Sequence, residues 1–461
     1  MTTRHAASFL SEIWQALGGA PDALSAVTFT GQGDLPSVFP VTDLAAASVA
    51  AAGLAVAGFT GAGASRIPGV IVDRRLASIW FATSLRPEGW SPPPAWDAIA
   101  GDYAASDAWI RLHTNAPAHR AAALAVLGVA GDKTAVSQAV ARWKADDLEA
   151  AIVAAGGCAA TMRSLEDWAA HPQGRAVSAE PLVHRAAMGA GSKPVWRRDI
   201  NRPLAGIRVL DLTRVLAGPV ATRFLAGYGA EVLRLDPPFW DEPALAPEVT
   251  LGKRCAPLDL RAASDRGTLE RLISETDVLV HGYRPGALDA FGFGAARRRA
   301  LNPALIDVSL DAYGWTGPWR DRRGFDSLMQ MSVGIADAGM RRLGRDRPTP
   351  LPVQALDQAT GYLMAAAVIR GLTARLDSGA GLEARASLAR TASLLVSGDQ
   401  TSASDLAPET DADWNANLEQ TAWGPARRVR APVAVEGAPM QWDRPAGPLG
   451  AAQLNWQQVD P

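Results

Sequence analysis

Cysteine is scarce in this chain: there are two in 461 residues, Cys158 and Cys255, far apart and with neither a CxxC pair nor a Cys/His cluster around them. That excludes a disulfide scaffold and a structural zinc site, and it suits a reducing compartment, so a cytoplasmic protein is expected. The six histidines, His5, His113, His119, His171, His184 and His281, show no HExxH or paired spacing, and no metal is expected. An excess of charge of one sign is missing as well: 45 Lys and Arg face 47 Asp and Glu, a net charge of −2. No global basic field exists to condense on nucleic acid or an anionic membrane, so an anionic ligand must be met locally. Long hydrophobic runs are also lacking. The opening MTTRHAASFLSEIWQALGG mixes Arg4, His5 and Glu12 with apolar residues at helical spacing and reads as a surface helix. The most apolar stretch, Leu44 to Phe59, is alanine-rich, contains Gly53 and Gly58, and falls short of the roughly 20 residues a bilayer requires. It reads as a buried helix.

What is present is a globular composition, 48% hydrophobic and 20% charged, in a chain too long for one ordinary core. Residues 1–188 are dominated by alanine-rich helical sequence. The segment 189–203, GAGSKPVWRRDINRP, gathers glycine, proline and charge and reads as a linker. Beyond it the pattern becomes strand, helix, strand: Ile207 to Leu212, Ala217 to Tyr228, Glu231 to Leu235. Further strands at Val278 to Val280 and Leu305 to Ser309, separated by helices at Ser264 to Glu275 and Ala295 to Leu301, extend it to a doubly wound, Rossmann-like parallel α/β domain over 204–400. Residues 401–461 form a tail expected to pack on the domains or on a dimer partner. There is also an internal echo: Val41 to Phe59 resembles Ala355 to Leu372, each with an aspartate, Asp43 or Asp357, ahead of an alanine-rich helix, then a glycine-containing turn and a strand-like run through about residue 80 in the first copy. Shared low complexity is the alternative explanation of such similarity.

Three features carry chemistry. Ala217-Gly218-Pro219 starts a helix after a strand, where unpaired N–H groups suit a phosphate or carboxylate, although proline in a first turn is also a purely structural choice. Asp357 lies between the extended LPVQAL and the helix QATGYLMAAAVIRGL, as an N-cap or first-turn residue. Helix amides there would keep its carboxylate ionised at neutral pH. Asp43 in PVTDLAAAS is the rival carboxylate, read as a vestigial cap. The tryptophans Trp315, Trp319, Trp414, Trp423 and Trp442 are read as filling interfaces, including a dimer interface.

Six segments in order, LAGIRVLDLTRVLAGP at Leu204, GKRCAPLDL at Gly252, DVLVHGYRPGALDAFGFG at Asp277, LNPALIDVSLDAYGWTGPW at Leu301, GFDSLMQMSVG at Gly324 and LPVQALDQATGY at Leu351, resemble the family III CoA-transferases. That family groups formyl-CoA and carnitine CoA-transferases with α-methylacyl-CoA racemases. A weaker likeness at about 103–173, YAASDAWIRLHTNAPAHR and RSLEDWAAHPQGRA, points to the family's smaller α+β domain, here ahead of the α/β domain, as if permuted or partly duplicated. The resemblance implies transfer of CoA from an acyl-CoA to a carboxylic acid through an Asp357 anhydride and an aspartyl-CoA thioester, with CoA as substrate, no permanently bound cofactor, and an interlocked homodimer. It implies that Leu216, Ala217, Leu258, Arg261, Gly282, Tyr283, Arg284, Arg323 and Asp326 line the CoA site. Gly282 stands where the family often has asparagine, Pro237 replaces a frequent basic residue, and no glycine-rich loop follows Thr391. Phe325 stands where the racemases place a histidine, which disfavours proton exchange at an α-carbon. An acyl-CoA racemase or isomerase and a catalytically silent CoA-binding protein remain the alternative readings.

Overall fold

The computed structural model describes residues 4–64, 66–191, 193–194, 196, 199–398 and 404–457. Positions 192, 195, 197 and 198 of the expected linker and 399–403 around the start of the tail lie outside the described residues. In the first part of the chain β1 (Val27–Thr30), β2 (Val70–Asp73) and β3 (Leu85–Pro87) are followed by an antiparallel trio, β4 (Gly101–Ala104), β5 (Trp109–Leu112) and β6 (Ala159–Thr161), and then by β7 (His184–Ala190). Next come β8 (Arg208–Leu212), β9 (Glu231–Asp236), β10 (Lys253–Pro257), β11 (Val278–His281), β12 (Ile306–Asp311) and β13 (Ala380–Ser387). The tail adds β14 (Glu419–Thr421), β15 (Gly424–Arg428) and β16 (Val433–Val435).

The second group forms a seven-stranded sheet in the order β10-β9-β8-β11-β12-β13-β7, parallel throughout except for β7. Its strands are short apolar runs buried on both faces; all four residues of β11 are buried. The order reverses at β8, so a crevice opens beyond the carboxyl ends of β8 and β11, where doubly wound sheets take their ligands. The expected α/β fold is therefore present, with β8, β9, β11 and β12 within a residue or two of their sequence positions. Two strands escaped the periodicity. β10, KRCAP, carries two basic residues, and the edge strand β7, HRAAMGA, is poor in β-branched residues and comes from the alanine-rich region ahead of 204.

The small domain packs helices Pro117–Leu127, Lys133–Val140 and Ala145–Ala154 on the β4-β5-β6 sheet around Tyr103, Ile110, Leu112, Val136, Leu148 and Ile152. The N-terminal helix Arg4–Ala16 is less exposed than its charges suggest: Phe9, Leu10, Ile13 and Trp14 pack into the main core.

Helix Val41–Thr60 is long and apolar enough to cross a membrane, longer than the 44–59 run suggested, yet 18 of its 20 residues are buried inside the protein. It lies against helix Ala355–Ser378. Both helices are entered through a residue at φ −76°, ψ 65°, Pro40 and Gln354, and both carry aspartate as their third residue. Each leads to a strand that pairs parallel with the strand before the helix, β2 with β1 and β13 with β12. Each of those strands ends in a residue whose side chain caps the next helix, Asp73 to the Leu76 N–H and Ser387 to the Arg390 N–H.

The tail is tied to the body by stacked indoles, Trp442 on Trp80 and Trp423 on Trp90. It is tied also by a buried knot around Glu248, which accepts from Ser84 Oγ at 2.7 Å and the Leu85 N–H at 3.1 Å and pairs with Arg223 and Arg428. Burial alone would raise this carboxyl. Arg223, Arg428 and the Ser84 bond outweigh it and hold the pKa at about 2. Glu248→Ala leaves Arg223 buried without its carboxylate, while Arg428 keeps Glu419, and is expected to cost about 3–5 kcal/mol of unfolding free energy in urea titrations. In the unmodified protein the contribution of Glu248 is complete above the ordinary carboxylate range and fades as pH falls toward 2, so the deficit of the variant should shrink over that acid interval.

Candidate active site

The site grows from the carboxyl ends of the parallel strands. After β8 the chain turns through Val215 at φ 66°, a conformation that a β-branched residue adopts only when its surroundings force it. The Val215 N–H is held by Glu242 Oε2 at 2.9 Å. Leu216 then leads into helix Ala217–Gly227. Beyond β11 come Gly282, Tyr283 and Arg284. Arg214 Nη2 donates to the Tyr283 hydroxyl at 3.3 Å, and its guanidinium lies over the rings of Tyr283 and Trp240 at 5.5 and 4.9 Å. The guanidinium of Arg284 has its pKa lowered by burial and then by neighbouring Arg323, so two cations face the same space. Arg261 is exposed, paired with Asp259 and lying 4.3 Å over the Phe239 ring. Leu258 is buried in the core beneath the strand ends, which leaves its side chain little surface to offer a ligand.

Asp357 is the third residue of its helix, not the cap; Gln354 holds the cap position. One turn on, Gly361 has no side chain because the Ala217 carbonyl and Val220 occupy that space, which brings the first turn of the Ala217 helix onto the same helix face as Asp357. The helix amides do not reach the Asp357 carboxylate. Asp326 Oδ2 takes the N–H groups of Leu356 at 2.8 Å and Asp357 at 2.9 Å, capping the helix from outside. Asp326 Oδ1 accepts from Gln330 Nε2, and Gln330 Oε1 in turn accepts the Leu351 N–H at 2.6 Å.

These surroundings act on the carboxyl in the opposite direction to free helix amides. Burial and then the Asp326 charge push the Asp357 carboxyl well above its ordinary range, and among the described residues no donor offsets them. Burial raises Asp326 to about 6, against three hydrogen bonds that favour its anion. The two carboxyls interact and titrate as a unit, the Asp326 charge raising the proton affinity of Asp357. Asp43, at the equivalent helix position, is bound instead by Arg74, with Nη2 at 2.7 Å and Nε at 3.1 Å, and Asp34 joins at 3.0 Å.

The opposite wall is the small domain. The His113 ring stacks on Phe325 with centroids 3.8 Å apart, His119 meets the same ring edge-on at 5.8 Å, and His113 Nδ1 lies 3.4 Å from Ser327 Oγ. Burial lowers His113 to about 3 and His119 to about 4, so both are neutral at pH 7. Arg323 Nη1 donates to the Gly156 carbonyl at 3.2 Å, beside Cys158, whose thiol burial pushes up to about 11. Sequence reading missed Arg214, His113 and His119. Arg214 stands inside LTRVLAGP, and both histidines stand in RLHTNAPAHR, where a strand gives way to a helix, a position that loops use for binding. Among the described residues no group of three His, Cys, Asp or Glu side chains is placed to hold a metal ion.

Residues 204–432 match the sequence profile of CoA-transferase family III. An acetyl-coenzyme A transferase nodX of Hypoxylon pulicicidum is 37% identical over 184 residues, 39% of this chain and 31% of that protein. A succinyl-CoA:glutarate CoA-transferase of Homo sapiens is 32% identical over 213 residues, 42% of this chain and 48% of that protein. The crystal structure of a CAIB/BAIF family protein from Brucella suis is 26% identical, covering 49% of this chain and 65% of that one with a TM-score of 0.39. The chain thus spans about half or less of the length of these two curated relatives. The segment 204–432, which holds six of the seven strands of the doubly wound sheet and both site carboxylates, belongs to CoA-transferase family III.

Proposed function

We propose that this protein moves CoA from an acyl-CoA thioester to a carboxylic acid, with Asp357 as the covalent nucleophile. One observation carries the reading: a buried aspartate with no hydrogen-bond donor among the described residues, beside a second carboxylate, at the crevice of a family III domain. A carboxylate that no N–H solvates is a stronger base and a stronger nucleophile than one in water, once its proton has left. The cations Arg284 and Arg323, with Arg214 across the crevice, suit the phosphates of CoA. Leu216, Ala217, Gly282 and Tyr283 border the same opening, Arg261 lies at its rim, and Leu258 supports it from below.

In the first step a carboxylate oxygen of Asp357 attacks the thioester carbonyl carbon, the C–S bond breaks, and CoA leaves as thiolate. The thiolate then attacks the Asp357 carbonyl of the mixed anhydride, releasing the donor acid and forming the aspartyl-CoA thioester. The acceptor carboxylate displaces the thiolate in the same manner, and the thiolate recaptures the new acyl group, returning Asp357 to its carboxylate. Asp326 does not bond to the reacting atoms in this scheme; it fixes the backbone of Leu356 and Asp357 and sets the proton affinity of the nucleophile. The two cysteines are free and buried, which suits a reducing cytoplasm. A second reading, proton exchange at the α-carbon of an acyl-CoA, is favoured only by the imidazoles of His113 and His119 against Phe325.

Asp357→Ala, folded by circular dichroism, is expected to lose exchange of label between acyl-CoA and free acids completely. Hydroxylamine or borohydride should trap an adduct on the Asp357 peptide of the unmodified protein and none on the Asp43 peptide. Full exchange in the variant removes Asp357 from the mechanism, and deuterium uptake at the α-carbon without an acceptor acid would establish the second reading. Asp326→Asn deletes the charge that raises Asp357, so the acid limb of the pH–rate profile should move to lower pH; an unmoved limb would separate Asp326 from the ionisation of Asp357.

A further inference from the structure

We infer that this single chain is a pair of interlocked repeats that completes its active site from both of them and needs no second copy. The first repeat runs β1, helix Val41–Thr60, β2, helix Arg74–Ala82 and, after the small domain, β7. The second runs β12, helix Ala355–Ser378, β13, helix Leu388–Val396 and, after the tail hairpin, β16. In each repeat the strand that follows the long helix has a parallel neighbour from its own repeat. Its other edge is filled, antiparallel, by the last strand of the opposite repeat. β16 pairs with β2, Val433 opposite Val72 and Val435 opposite Val70. β7 pairs with β13, His184 opposite Arg385 and Ala186 opposite Glu383.

Reciprocal exchange of edge strands across two equivalent packed helices is the arrangement of a two-fold symmetric dimer interface, in which each surface meets its own counterpart. Here both surfaces lie on one polypeptide, so the place a second copy would take is already filled. The two aspartates that the repeat brings to corresponding positions have separated in role. Asp43 is bound by Arg74, while Asp357 lies near the wall that the first repeat sends over: the Arg163 N–H donates to the Met331 carbonyl at 3.0 Å, and Cys158 packs with Leu328 and Met331 beside the His113 stack on Phe325. One complete site per chain follows, in place of the homodimer that the resemblance implied.

Light scattering and engineered crosslinks test this, and neither depends on the proposed reaction, so a failure of that reading leaves the test intact. The full chain should scatter as a 48.4 kDa particle; a mass twice that overturns the inference. Ala186→Cys with Glu383→Cys, opposite each other across β7 and β13, places Cα atoms at about 4.5–5.5 Å, within disulfide reach. The native cysteines are buried and do not compete. On a non-reducing denaturing gel the oxidised protein should migrate as a single crosslinked chain, whereas covalent dimers would show that the strands are exchanged between copies. Ile71→Cys with Ala434→Cys, across β2 and β16, gives the same two outcomes if the first pair fails to fold.

Discussion

Two helices without a polar face must cover each other. Val41–Thr60 is apolar nearly all round, as is Ala355–Ser378 from its start to Leu372, and exposing these stretches to water would be costly, so the surrounding elements enclose them. Their alanines keep the pair slim. Two glycines let strands come closer still: Gly53 makes room for Val70 and Val433, and Gly371 for Ile306 and Leu382. The parallel strands pack on one flank, the N-terminal helix on another, and the helix starts, where the two aspartates sit, are left as the places where polar groups must be satisfied.

How each start is satisfied decides what its carboxylate can do. At Asp43 a cation closes the account: Arg74 supplies two N–H groups and a full charge, and the result is a buried pair whose value is structural. At Asp357 the free amides of the helix are given to a neighbour, Asp326, and the nucleophile candidate is left with burial and a like charge. Identical helix geometry thus yields a quiet carboxylate in one place and a high-energy one in the other, and the difference lies wholly in which side chain stands opposite.

The sequence made the α/β domain legible because apolar runs and turn residues alternate clearly between Ile207 and Ser309, and it pointed to Asp357, Arg284 and Arg323 through ordered motifs. It hid what depends on distant chain. The surroundings of Asp357 could not be read because its helix amides were taken as free, whereas an acceptor 31 positions upstream in sequence consumes them. His113 comes from a segment more than 200 residues ahead of Phe325, and nothing in RLHTN says which ring it will stack on. Leu258 could be placed at a strand end by pattern, but only packing shows that it points into the core. β7 is too alanine-rich, and β16 at three residues too short, to announce themselves as edges.

The exchange of edge strands also sets the timetable of biosynthesis. Val72 leaves the ribosome long before its antiparallel partner Val433 has been made. Throughout that interval β2 presents an open strand edge, a template for pairing with other nascent chains. Closure then has to occur late, over very long loops, which makes the native topology slow to reach. A cell that makes this protein must shelter its first repeat until the last strand arrives, and crowded or accelerated translation is where its yield would fall.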